Sequence, residues 1–320
     1  MPGVRVEAKS SGKTRRLARI GIGIGCACLL PAAVAWTVTA PRIEVLFVDP
    51  GASYGAYYAD LQRTTVAAGQ TWSQHLAGDF SAVELTVSIN FAALATSSGR
   101  SLGSGYFGST GSGLTLWEQG AAHELRTGVD VNGALPDIEF NIGAFGYLQS
   151  ELWFDPDPLL RSAAVPGDRT DAMSVLLHEW GHALGFNGWM DGATGALPGS
   201  YASTFDSQVA PQAGPGGTVL VFQGAHASSL YGGEVPLTFG NHAHLGNSGG
   251  LGGDDLIPDL MNGEVFYRGT RYGVSALDVA ILADVGLPVL AAVPEPGTAA
   301  LLLAGLGLTV LSARRRRTAP

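Results

Sequence analysis

The sequence predicts an α+β fold: a twisted mixed sheet with one functional helix on its face, followed by an irregular glycine-rich C-terminal portion. Three observations lead there. Runs of strand and helix character intermingle up to about residue 168, the order expected when helices are laid on a sheet. A strongly amphipathic helix stands at residues 170–185. After Phe186 the chain turns rich in Gly, Ala, Ser and Pro, and the whole contains 46 glycines in 320 residues, as suits a loop-rich exported protein.

Taken in order, residues 43–49 (Ile-Glu-Val-Leu-Phe-Val-Asp) have strand composition and a turn signal after them. Tyr58 to Leu76 is expected to be a helix with Leu61, Thr65, Ala68, Trp72 and Leu76 along one side. Val83 to Leu94 alternates as a second strand. Gly99 to Gly113, dominated by Gly and Ser, is expected to be a loop or ragged hairpin. Trp117 to Arg126 suits a short helix, and 137–141 and 151–155 suit two more strands. Pro156 and Pro158 end the second of these, which is either an ordinary edge strand or an exposed one open to strand addition by an extended substrate. Beyond Phe186, residues 187–217 are expected to be irregular and 219–222 a short strand. Residues 240–253 form a Gly-rich loop with His242 and His244, and Ser275 to Val285 is a final helix. There is no internal repeat.

Both ends are addressing signals rather than fold. Arg5, Lys9, Lys13, Arg15, Arg16 and Arg19 precede an uncharged apolar run from Ile20 to Ala40. Val38-Thr39-Ala40 offers a small-residue cleavage site, so residues 1–40 are expected to be a signal peptide. Cys26 and Cys28 fall inside it, leaving the remaining chain without disulfide or thiol chemistry. At the other end, Pro294-Glu295-Pro296, an apolar run from Thr298 to Ala313 and Arg314–Arg317 follow one another. That order resembles the PEP-CTERM sorting signal of Gram-negative bacteria, assigned to 293–320. The resemblance implies export through the inner membrane, to the cell surface or medium. It also implies recognition by an exosortase-type enzyme beside a signal peptidase, with membrane contact through the terminal segments alone. Without its ends the body keeps eight arginines, no lysine and twenty-five acidic side chains, a formal charge of −17. Such a surface disfavours nucleic acid.

Chemistry concentrates at residues 178–186, His-Glu-Trp-Gly-His-Ala-Leu-Gly-Phe. On a helix, residues four apart share a face, so His178 and His182 can hold one metal ion between them. Glu179 lies about 100° round the same turn and can reach a water on that metal. Zinc lowers the pKa of such a water from about 15.7 to about 7, and the carboxylate takes its proton during attack on a carbonyl. Met173, Leu176, Leu177, Trp180 and Leu184 recur on the opposite side as a core face. Thr170 and Asp171 supply the N-cap, and Gly185 lets the chain turn away.

His-Glu-x-x-His-x-x-Gly resembles the metzincin zinc metallopeptidases. Their short pattern puts a third histidine three residues past the glycine, where this chain has Gly188. The long gap to the next histidines is similar to the leishmanolysin-like branch, whose third histidine comes from far downstream, ahead of a methionine turn. His242 and His244 lie 60 and 62 residues after His182, and Met261 stands 17 beyond His244. The resemblance implies one catalytic Zn²⁺ and a protein or peptide substrate. Its ligands would be His178, His182 and His244, with His242 as the alternative third ligand, and Met261 would form the turn beneath the metal. It also implies a metzincin-like subdomain at 41–190 and a C-terminal subdomain at 191–290 that brings the third ligand. His244 is preferred because Leu245 follows it, as a large apolar residue does in the family. Asp191, Glu234 and Glu264 are other candidate ligands; His75, His123 and His226 have no partner at metal spacing. Asp254, Asp255 and Asp259 suit a solvated acidic loop better than a calcium site. The expected function is an exported zinc metalloendopeptidase with Glu179 as general base. The alternative is a non-enzymatic surface or extracellular-matrix protein that keeps the fold, against which stands Glu179, since a purely structural zinc has no use for it.

Overall fold

The computed structural model describes residues 39–143, 146–214, 217–246, 256–263 and 266–290. The leader up to Val38 and the sorting tail lie outside the described residues, as do Asp254, Asp255 and Glu264. Among the described residues no helix is long and apolar enough to cross a membrane.

The first half builds a four-stranded sheet. β1 (Arg42–Val48) leads through α1 (Tyr58–Ser73) to β2 (Glu84–Ala92), which pairs with β1 in parallel. β3 (Ser97–Ser101), β4 (Ser104–Ser109), β5 (Thr115–Gln119) and α2 (Gly120–Thr127) follow before β6 (Ile138–Gly143). β6 inserts beside β2 in parallel, and β3 closes the sheet antiparallel to β6, giving the order β1-β2-β6-β3. β7 (Leu152–Trp153) and β8 (Thr170–Asp171) are a two-residue parallel pair that delivers the chain into α3 (Ala172–Leu184).

α3 is the pivot of the packing. All thirteen of its residues are buried, the histidine side as well as the apolar side. Trp180 on α3 stands edge-on to Phe140 of β6 at 6.0 Å and donates its indole N–H to Thr65 O on α1 (3.0 Å). Trp72 on α1 donates back to Leu177 O (2.8 Å), so each large ring is buried with its one polar atom satisfied. Burial of side chains such as Met173, Leu176 and Leu177 is worth about 1.5–3 kcal/mol each, which holds the helix against the sheet. Asp171 caps the helix, accepting from Ser174 N, and is itself held by Arg161 at 2.6 Å.

After α3 come β9 (Tyr201–Ser203), β10 (Val209–Gly214), β11 (Gly217–Phe222), α4 (Ala225–Tyr231), β12 (Val235–Thr238), β13 (Asn241–Leu245) and α5 (Ala276–Asp284). β10 to β13 form an antiparallel meander. Ser275 and Asp278 form a capping box at the start of α5. One apolar cluster runs from Leu61 to Leu287 through both halves of the chain.

Several expectations need correction. The stretch 99–113 takes the hairpin alternative in part: β4 pairs antiparallel with β5 through a register shift at Tyr106–Gly108, while the β3 part pairs with β6, partners rather than composition making both strands. Residues 117–126 begin as strand β5 and turn helical at Gly120. The strand expected at 151–155 is shorter: it keeps two ladder residues, paired with β8 on one side, while Glu151 is engaged by Thr170 and Arg268 and the buried Asp155 by Arg271. Residues 187–217 contain β9 and β10, and the described part of 240–253 is strand β13, because β12 offers it a ladder.

Candidate active site

His178 and His182 project from one turn of α3, and β13 brings His244 to them. The three Nε2 atoms form a triangle with sides of 3.0 Å (His178–His182), 3.1 Å (His182–His244) and 3.2 Å (His178–His244). The opposite ring atoms fix the tautomers of the helical pair. His178 Nδ1–H donates to Leu260 O at 2.7 Å and His182 Nδ1–H to Phe186 O at 2.6 Å, and a carbonyl can only accept. Their Nε2 atoms are therefore bare lone pairs facing each other, an arrangement that repels unless a cation sits between them. Tetrahedral bonds of about 2.0–2.1 Å to zinc set neighbouring nitrogens about 3.3 Å apart, close to the triangle found. The donor set fits that ion. Burial, reinforced by the neighbouring His182, pushes His178 down to about 3. Burial also lowers His182, and with the other imidazoles it takes His244 well below the usual value. All three are held neutral, the form that binds metal.

Glu179 is buried one residue along. Its Oε1 accepts from Ser97 Oγ on β3 at 2.7 Å, and the backbone N–H of Gly99 faces the same carboxylate. Burial outweighs these bonds and pushes the carboxyl up to about 7. The sheet edge reaches the helix because Gly99 has no side chain: a Cβ there would lie 2.6 Å from Glu179 Cβ.

The 259–262 turn forms the floor. Leu260 supplies the carbonyl under His178, and Met261 is fully buried against the helix, where a Cβ on Gly181 would come within 2.5 Å of its Sδ. Asp259 Oδ1 shapes the turn by accepting from Met261 N (3.0 Å). Leu245 N donates to Met261 O at 2.8 Å, which ties the turn to the strand carrying His244. Above the triangle opens a cleft of about 440 Å³, lined by residues 96–99, Tyr147, Asn187, Asn241, Asn262 and Phe266.

His242 is buried elsewhere. Its Nε2 lies 2.7 Å from Asp206 Oδ1, and the other oxygen of Asp206 accepts from Trp189 N (2.7 Å) and Met190 N (3.2 Å). Gly188 also abuts Asp206. Asp191 folds back on Thr194, Glu234 is exposed beside Gln212 and Gln223, and His123 pairs with Glu118. His75 lies half-buried after α1, and His226 is exposed on α4. Ser97, Gly99, Tyr147 and Asp206 escaped the sequence reasoning. Ser97 and Gly99 lie in a strand without apolar alternation, and Asp206 has no local pattern linking it to His242. A second acidic group, Glu124, Asp130 and Asp137, brings carboxylate oxygens within 4.8 Å of one another at α2 and the start of β6.

Residues 292–317 match the family model of the PEP-CTERM protein-sorting motif. That match implies an exported protein sorted to the cell envelope of a Gram-negative bacterium and recognised by an exosortase-type sorting enzyme. No curated protein and no solved structure matches the chain.

Proposed function

We propose that this chain is an exported zinc metallopeptidase that hydrolyses peptide bonds, related in plan to the leishmanolysin-like metzincins. The observation that carries the reading is the triangle of imidazole Nε2 atoms 3.0–3.2 Å apart, those of His178 and His182 being bare lone pairs, with a buried carboxylate beside His178. His178, His182 and His244 would hold the ion, which when bound acidifies a water to a pKa of about 7 and polarises a carbonyl. Glu179 takes a proton from the attacking water and passes it to the departing amine nitrogen as the C–N bond breaks; the water oxygen stays on the new carboxylate. A carboxyl whose proton affinity sits near neutrality suits both halves of that transfer. Leu260 O and Phe186 O hold the two helical rings, while Met261 packs under the helix without ligating. Among the described residues β3 is the outermost strand of its sheet and borders the cleft beside Glu179, which favours an extended polypeptide as the substrate, since such a chain can pair with backbone groups of an edge strand.

The test is hydrolysis of an unfolded protein by the body of the chain. Activity should disappear with a chelator and return with zinc. Zinc bound at one equivalent with no turnover of any peptide would leave the site as a structural one in a surface or matrix protein.

A further inference from the structure

We propose that Ser97 is a positioning residue for Glu179, so that the strand forming the rim of the cleft also sets the general base. The inference rests on the peptidase reading above.

The geometry assigns the protons. An ionised carboxylate has only acceptors, so Ser97 Oγ donates its single hydrogen to Glu179 Oε1 across 2.7 Å. That bond uses one lone pair of the carboxylate and leaves the others for water. In a buried site this anchor matters, because Glu179 belongs to a helix end-to-end fixed by packing, yet its own side chain has free torsions. Ser97 sits on β3 opposite Ile142 of β6, and Glu179 on α3, so the two groups come from separate pieces of chain that meet at one sheet edge. A chain paired along β3 would stiffen the strand bearing Ser97, and docking of substrate and orientation of the base become one event.

The experiment compares wild type with Ser97→Ala and Ser97→Thr. In Ser97→Ala, kcat should fall about tenfold with KM within about twofold, the loss expected for one hydrogen bond to a charged group that orients a reacting atom. Zinc content should stay at one equivalent, and Ser97→Thr should recover most of the rate. A second readout does not depend on turnover: in crystals of the metal-free Ser97→Ala protein, the Glu179 carboxylate should leave its wild-type position or split between rotamers. An unmoved carboxylate, or an active wild type whose Ser97→Ala variant keeps its kcat, overturns the inference. A wild type without turnover would instead sink the peptidase reading, and the crystallographic comparison would still decide whether Ser97 anchors Glu179.

Discussion

Two pieces of chain build the imidazole triangle, and they are made on different principles. α3 supplies His178, Glu179 and His182 from a single turn, so the spacing of a regular helix sets their relative positions. His244 comes from β13 in a Gly-rich stretch, and its position is set by contacts rather than by period. β12 pairs with β13 through an irregular register, Asp206 fastens His242, and the 259–262 turn bonds both to Leu245 and to the ring of His178. The helix half is therefore rigid by construction, whereas the strand half is rigid only when several distant pieces are in place. Metal affinity should depend on the strand half, and chemistry on the helix half.

The largest effect should come from the helix. Glu179→Gln keeps the volume and removes the base, so kcat should fall by about 10²–10⁴ while zinc content, measured by mass spectrometry, stays at one equivalent. Loss of the metal together with activity would show that Glu179 belongs to the framework instead.

In the strand half, His244→Ala should release zinc and activity together, because two imidazoles make an incomplete site. His242→Ala should keep the metal and lower stability by about 1–3 kcal/mol, the cost of leaving buried Asp206 without its partner. Denaturant titration beside metal analysis separates the two. Retained zinc in His244→Ala with zinc loss in His242→Ala would reverse the assignment.

The division between the halves also explains what the sequence could show. A helix writes its geometry into residue spacing, so the site on α3 and its core face were legible, Asp171 cap included. β3 was not: Ser-Ser-Gly-Arg-Ser has no alternation of apolar residues, and the strand exists because β6 offers a ladder and Gly99 admits the helix. The choice between His242 and His244 was equally out of reach of spacing, because residues two apart on a strand point the same way. Asp206, 36 residues earlier, holds His242, and the ring beside the helical pair is that of His244. The strand expected at 151–155 is cut to two residues, and the partners of its carboxylates, Thr170, Arg268 and Arg271, come from elsewhere in the chain.

A smaller effect tests how tightly the halves are pressed together. Replacing a helical glycine by alanine usually gains about 1 kcal/mol. In Gly181→Ala the new methyl meets Met261 Sδ at 2.5 Å, and overpacking of about 1–3 kcal/mol should win. Thermal melting should show a lower Tm; a higher one would mean that Met261 does not lie under the helix.

The smallest effect is a control outside both halves. Burial, with Asp137 and Asp130 adding, pushes Glu124 on α2 up to about 7. A carboxyl with a raised folded pKa takes up a proton on folding, so its contribution is complete below about pH 4.5 and is lost as pH rises to about 7. Glu124→Gln should reduce the fall in Tm between pH 5 and pH 8 by about 2 °C without altering metal content. An unchanged pH dependence would show that Glu124 ionises normally.

X-ray absorption at the zinc edge of the loaded protein tests the central claim most directly. The account predicts three imidazole nitrogens and one non-protein oxygen at about 2.0–2.1 Å, with one nitrogen lost in His244→Ala. A fourth protein ligand closing the site, or a spectrum unchanged by His244→Ala, would contradict it.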